Sequence, residues 1–166
     1  MTEKVFAFID GQNLYKSINR EKWDLRYDKL YRYLVNTFGV SCAILYLGDV
    51  RSTVYRVAHR AGFEVKIKRA IPIKEEGKTV RKTNIDADLI VGVLGEYIDQ
   101  YDQAVIISGD SDFLPLYYYL IRQSRLKKVL VPSRGSGASL VYQDQTVKKY
   151  VSIMSDVDTK ADILSA

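Results

Sequence analysis

The stretch Val105-Ile106-Ile107-Ser108-Gly109-Asp110-Ser111-Asp112-Phe113 constrains the fold more than any other part of the chain. Three consecutive β-branched residues leave a strand with no polar face. Such a strand is stable when covered on both sides, as in a parallel sheet sandwiched between helices. The run ends at Ser108-Gly109, two aspartates follow at i and i+2, and a helical segment, Phe113 to Gln123, begins at once. Asp110 and Asp112 therefore belong to the carboxyl end of a buried strand. Open α/β sheets bind ligands at that edge, above all where the direction of the strand connections reverses.

The rest of the chain repeats the pattern. Val5 to Ile9 is apolar and ends in Asp10-Gly11, with a helical turn opening at Asn13-Leu14-Tyr15. Arg20 to Asp24 has no period and reads as loop. Asp28 predicts the N-cap of a helix carrying Leu30, Tyr33, Leu34 and Phe38, with Gly39 just past its end. Cys42 to Leu47 is a third apolar strand, followed by Gly48-Asp49, and Arg51 to Ala61 reads as a helix closed by Gly62. From Phe63 the chain alternates, with Phe63, Val65 and Ile67 on one side and Glu64, Lys66 and Lys68 on the other. That is a half-exposed strand near a sheet edge. Ile71 to Arg81 turns at Glu75-Glu76-Gly77-Lys78, which predicts a hairpin or flap.

Asp86 to Tyr101 has the strongest helical period. Ile90, Val93 and Tyr97 stand at i+4, i+7 and i+11 from Asp86, so this acid crowns the stripe that faces the sheet, whereas Asp88 points away. Val129 to Val131 is a further strand, Ser133 to Gly137 a flexible connection, Ala138 to Gln143 a short helix, and Tyr150 to Ile153 an edge strand or docking segment. The order implies an α/β fold, a central, mostly parallel sheet with helices on both faces. One domain is expected over residues 1–154, with 155–166 as a flexible, frayed tail.

Composition narrows the chemistry. The 166 residues include one cysteine, Cys42, and one histidine, His59, which excludes an intramolecular disulfide, a cysteine-rich zinc site and a histidine-rich metal site. Catalysis then falls to carboxylates, lysines or a metal ion. Lys plus Arg at 25 against Asp plus Glu at 20 gives a net charge of +5, a mild bias towards anionic partners. No apolar segment approaches membrane-spanning length, and Met1-Thr2-Glu3-Lys4 leads straight into a strand, so a cytoplasmic protein with no membrane partner is expected.

If the strands bearing Asp10 and Asp110 are neighbours, Asp10, Asp86, Asp110 and Asp112 converge. Like charges crowded into a partly dehydrated cleft take up either protons or a cation. Hard oxygen donors without imidazole or thiolate select Mg²⁺ or Mn²⁺ over zinc, and such an ion can activate water for attack on a phosphodiester. Each acid alone also has a local explanation: Asp10 in an Asx-turn, Asp86 as an N-cap, Asp110 bracing its turn and Asp112 capping the next helix. Competing motifs fail on the letters. Leu114 and Pro115 stand where an EF-hand needs an acceptor and a glycine. Gln12 replaces the second acid of a haloacid dehalogenase-like phosphatase, and no phosphate-binding P-loop or Gly-x-Ser-x-Gly elbow occurs.

Phe8-Ile9-Asp10-Gly11-Gln12-Asn13-Leu14, Asn84-Ile85-Asp86 and Ile107-Ser108-Gly109-Asp110-Ser111-Asp112-Phe113 resemble the three motifs of the NYN domain, a group of PIN-like nucleases that includes the bacterial LabA-like proteins. The resemblance runs from about Lys4 to about Tyr150. It implies a three-layer PIN-like fold and a Mg²⁺- or Mn²⁺-dependent activity on RNA. By motif position it makes Asp10, Asp86, Asp110 and Asp112 the metal-binding, catalytic acids, with Asn13 and Ser108 as supporting polar groups. Many members have Lys-Gly before the middle motif; here Thr83-Asn84 stand there and Lys82 lies one place earlier.

A nuclease also has to hold its substrate. Lys66, Lys68, Arg81 and Lys82, within a basic segment that includes Arg69, Lys74 and Lys78, are placed to meet backbone phosphates, or equally to form a solvated loop. Tyr15, Trp23 and Tyr46 are candidates to stack single-stranded bases. Of Tyr117-Tyr118-Tyr119 at least one faces the core, and the others form an exposed patch or a homodimer contact. The function expected is metal-dependent RNA cleavage; the alternatives are a non-catalytic RNA- or protein-binding regulatory module of the same fold, and a metal-dependent phosphatase.

Overall fold

The computed structural model describes residues 2–48, 52–135 and 137–166. The first half of the chain runs β1 (Val5–Asp10), α1 (Gly11–Arg20), α2 (Tyr27–Phe38), β2 (Val40–Gly48), α3 (Ser52–Ala61) and β3 (Glu64–Lys68), then a hairpin of β4 (Ile71–Glu75) and β5 (Lys78–Lys82). The second half runs α4 (Asp86–Val91), β6 (Gln103–Ile107), α5 (Leu114–Arg122), β7 (Leu126–Val131), α6 (Ser139–Tyr142), β8 (Val151–Ile153) and α7 (Val157–Ser165). Six strands form one sheet in the order β3-β2-β1-β6-β7-β8, and every pairing in it is parallel.

Alternation along the strands builds two cores. Phe6, Phe8, Ile44, Ile106 and Val129 face Leu89 of α4 and Leu116, Tyr117 and Leu120 of α5. Ala7, Ile9, Leu45, Val105 and Ile107 face Leu14 of α1, Leu30 and Leu34 of α2, Ala58 of α3 and Ile163 of α7. The central strands are covered on both sides, which is why they are apolar at successive positions. From β1 the first half of the chain winds outwards through β2 to β3, and the second half winds the other way from β6 to β8. The reversal falls between β1 and β6, where Ile9 pairs with Ile107.

Several elements differ from expectation. The helix expected to be capped by Asp28 begins two residues earlier, with Arg26 at the N-cap; Asp28 sits in the first turn and pairs with Arg26 at 2.9 Å and Arg32 at 3.2 Å. Asp28 still serves the helix, as a negative charge near its positive end. Gly39 closes it with φ +69°. The helix expected over Asp86 to Tyr101 is α-helical only to Val91 and widens to a π-helical turn over Gly92–Glu96. Gly92 lies against the buried Tyr46 hydroxyl and leaves no room for a Cβ. The Tyr101 hydroxyl then donates to the Val93 carbonyl at 2.8 Å, and Arg125 donates to the carbonyls of Ile98 and Tyr101, which ends the segment.

The tail expected to fray is ordered as α7. It packs on α2 with Ile163 fully buried, and Lys29 Nζ donates to the Ala166 carbonyl at 2.7 Å. The hairpin forms a separate two-stranded antiparallel unit; Glu76 and Gly77 both have positive φ, which suits a tight two-residue turn. Asp49, read as following the third strand, and Arg51, read as the start of a helix, lie outside the described residues, as does Ser136 of the connection after β7. Among the described residues no helix is long and apolar enough to cross a membrane.

Candidate active site at the carboxyl edge of the sheet

Asp10 ends β1 one position past the Ile9–Ile107 pair, so its carboxylate stands level with Ser108 of the neighbouring strand. It is only 3 % exposed. Oδ1 accepts the Asn13 N–H at 3.0 Å and caps α1, while Oδ2 accepts the Ser108 hydroxyl at 2.9 Å. Ser108 Oγ in turn accepts the Asp110 N–H at 3.1 Å, and Asn13 Oδ1 accepts the Gly109 N–H at 2.8 Å. Three polar side chains thus tie the β1–α1 corner to the turn after β6. Asp110 Oδ1 accepts the Asp112 N–H at 2.9 Å, capping the 3₁₀ turn Ser111–Phe113 that leads into α5. Asp86 opens α4, and its N–H is held by Asn84 Oδ1 at 2.9 Å.

Electrostatics link these acids. Burial pushes the Asp10 carboxyl up to about 6; Asp86 and Asp110 push the same way, against the hydrogen bonds from Asn13 and Ser108. The half-buried Asp86 is raised by burial first, then by Asp110 and Asp112, with Lys16 opposing. Each of the four acids is therefore within electrostatic range of at least one other. Beside them lies the fully buried Tyr117, whose phenol is raised by burial and then by Asp10 and Asp110, and whose hydroxyl has no partner among the described residues. No lysine or arginine among the described residues forms an ion pair with any of the four. Nor, among those residues, is any set of three acids, cysteines or histidines drawn up close enough to hold an ion as it stands.

A family model described as the NYN domain matches residues 4–153, nearly the whole chain. The chain belongs to the NYN domain family. That family is one of PIN-like nucleases, which typically use divalent metals. Among solved structures, a Vibrio parahaemolyticus protein of unknown function is similar at a TM-score of 0.70 and 21% identity, over 93% of this chain and 94% of that one. Among curated proteins no similar sequence was found.

The other residues singled out in the sequence of this NYN domain fall apart spatially. Lys66 and Lys68, expected to grip phosphates, are held by acids instead. Lys66 Nζ lies 2.6 Å from Glu96 and 3.2 Å from Glu64, and Lys68 Nζ 2.6 Å from Asp88. The exposed face of Asp88 is where the helical period placed it, and there it neutralises a neighbouring strand. These lysines line a groove of about 400 Å³ with Tyr46, Arg69 and Glu96. Arg81 and Lys82 lie on β5, opposite Pro72 and Ile71 of the hairpin.

Of the aromatics expected to stack bases, Trp23 and Tyr46 are buried in the two cores and Tyr15 is 58% exposed. Tyr117 is the core member of the tyrosine triplet, Tyr118 bonds Asp144 and Tyr119 is exposed. Cys42 lies within β2 and His59 is exposed on α3, stacked on Tyr55. Lys16 was not singled out in the sequence, Asn84 stood there only as part of the middle motif, and Tyr117 only as one of three tyrosines. Asn84, two residues before Asp86, carried the signature of an Asx-turn; Lys16 and Tyr117 depend on which helices meet at this edge.

Proposed function

We propose that this NYN domain is a metal-dependent ribonuclease that hydrolyses phosphodiester bonds, with Asp10, Asp86, Asp110 and Asp112 as the acids that hold the ion. The observation that carries the reading is the placement of Asp10 beside Ser108 and Asp110 at the switch point, with Asp86 brought in by α4. The donor set fits the ion. All four groups are hard oxygen donors, and the buried Asp10 gains from a nearby cation what it lacks from lysine or arginine. When bound, Mg²⁺ or Mn²⁺ supplies positive charge that acidifies the attacking water and offsets charge on the leaving oxygen.

The chain's own residues prepare for this. Ser108 and the Asn13 N–H hold the Asp10 carboxylate in one orientation, so no rotamer search accompanies binding. Asn13 fixes the Gly109 peptide and Ser108 the Asp110 peptide, which sets the direction of the Asp110 side chain. Asp112, exposed beside them, is free to turn towards substrate or ion.

The test is cleavage of labelled single-stranded RNA with Mn²⁺, with EDTA, and with Asp110→Asn. Cleavage in Mn²⁺ that stops in EDTA and falls at least about a hundredfold in the variant is expected. RNA cleavage that persists in EDTA overturns the proposal. The second reading, a non-catalytic RNA- or protein-binding module, draws on the absence of an already closed ligand set among the described residues. RNA binding without turnover in any metal decides for it.

A further inference from the structure

The edge that carries the acids is a poor place for a polyanion unless cations stand beside it. The lysines of β3 cannot serve, since Glu64, Glu96 and Asp88 already engage them. Among the described residues, Lys16 and Arg20 lie at this edge without an acid partner. Lys16 and Arg20 stand at i and i+4 on α1, one above the other along the helix, separated by about 6 Å of rise. Both are exposed, and neither forms an ion pair among the described residues. Lys16 is near enough to Asp86 to offset part of the repulsion there. Arg20 reaches the other way: its guanidinium lies against Gly135, in the connection after β7, so closely that a Cβ on Gly135 would displace it. The pair therefore links the neighbourhood of Asp86, at the start of α4, to the β7 connection, on the same helix that Asp10 caps.

We infer that α1 is the track for the phosphate backbone of single-stranded RNA, with Lys16 and Arg20 as the residues that grip it beside the acids. This deepens the proposed ribonuclease function and rests on it. It moves the binding surface away from the basic run of β3 and the hairpin, to which the sequence pattern alone points. The helix whose first turn is fixed by Asp10 would then also deliver the substrate, so that grip and acids are registered on one element.

The experiment measures fluorescence anisotropy of a short labelled single-stranded RNA, in EDTA and over a range of salt, with Asp110→Asn as the parent so that no strand is cut. Combining Lys16→Gln with Arg20→Gln should weaken binding roughly tenfold and lower the log–log salt slope by about 1.4, two single-strand phosphates at about 0.7 each. Lys66→Gln with Lys68→Gln should stay within about twofold of the parent, since surface groups already paired contribute little more. Lys16→Arg with Arg20→Lys retains both charges and should keep the slope, which separates lost grip from damaged folding. Gly135→Ala, which displaces the Arg20 guanidinium but leaves its charge, should weaken binding in the same direction by less. An α1 double variant that binds like the parent with an unchanged slope overturns the inference and leaves the ribonuclease reading standing. A parent with no salt-dependent RNA binding overturns both.

Discussion

Asp10 meets two opposed demands. As the cap of α1 and the acceptor of the Ser108 hydroxyl it favours the carboxylate, while its removal from water favours the acid. Burial wins, and the carboxyl titrates at about 6 rather than 3.8. Between these values the folded chain holds a proton that the unfolded chain has released. Stability from this group is therefore full below about pH 4 and falls as pH rises through 6, by up to roughly 3 kcal/mol for a shift of about two units. Asp10→Asn keeps the Oδ1 acceptor for α1 and removes the charge. In EDTA at pH 7.5 it should be more stable than the parent by roughly 1–3 kcal/mol, and the gap should close towards pH 4. Urea denaturation of both chains across that range checks it; a variant less stable at pH 7.5 would mean that the hydrogen bonds outweigh the burial. The acid was legible in the sequence because an apolar strand that stops at a carboxylate has few other reasons to do so. Lys16 was not legible, since its meaning depends on α4, far along the chain, coming to rest nearby.

At the scale of elements, most strands and helices follow their periodicity, and the departures have local causes. The period from Asp86 to Tyr101 gives Val93 and Tyr97 of the buried stripe, whose remaining member is the flanking Leu89 rather than the half-buried Ile90, and the helix widens at Gly92, because the spacing of apolar residues carries no information about the Tyr46 ring packed on that turn. Gly92→Ala would drive a Cβ into the Tyr46 hydroxyl, and Tyr46 is buried and cannot swing aside. Overpacking of this kind costs about 1–3 kcal/mol. Adding Tyr46→Phe removes the obstructing oxygen and should recover more than half of the loss; equal destabilisation in the single and double variants would show that Gly92 is needed for its backbone instead. The last helix was missed for the opposite reason. Only Ile163 of α7 is fully buried, so its sequence shows almost no stripe, and it is ordered by docking on α2 rather than by its own pattern.

For the whole molecule, the decisive fact is that β1 and β6 are neighbours from which the chain winds in opposite directions. The sequence supplied the acids but only conditionally their meeting, because strand order is a property of the connections and not of any residue. The net charge of +5 says little about this edge, where negative groups dominate and one of them titrates at about 6. A cation that binds the folded chain and not the unfolded one must stabilise the whole domain, by about 2.7 kcal/mol when present at a hundred times its dissociation constant. It must also compete with the proton on Asp10. At pH 7.5 that proton is largely gone, whereas at pH 5, about one unit below the titration point, roughly nine-tenths of the chains carry it and affinity should fall about tenfold. Melting curves with increasing Mn²⁺ should therefore shift upwards at pH 7.5, shift much less at pH 5 for the same concentration, and lose most of the shift in Asp110→Asn. A parent whose melting ignores Mn²⁺ at pH 7.5, or one that responds equally at both pH values, would separate the crowded acids from any ion and leave them as caps of α1 and α5 alone.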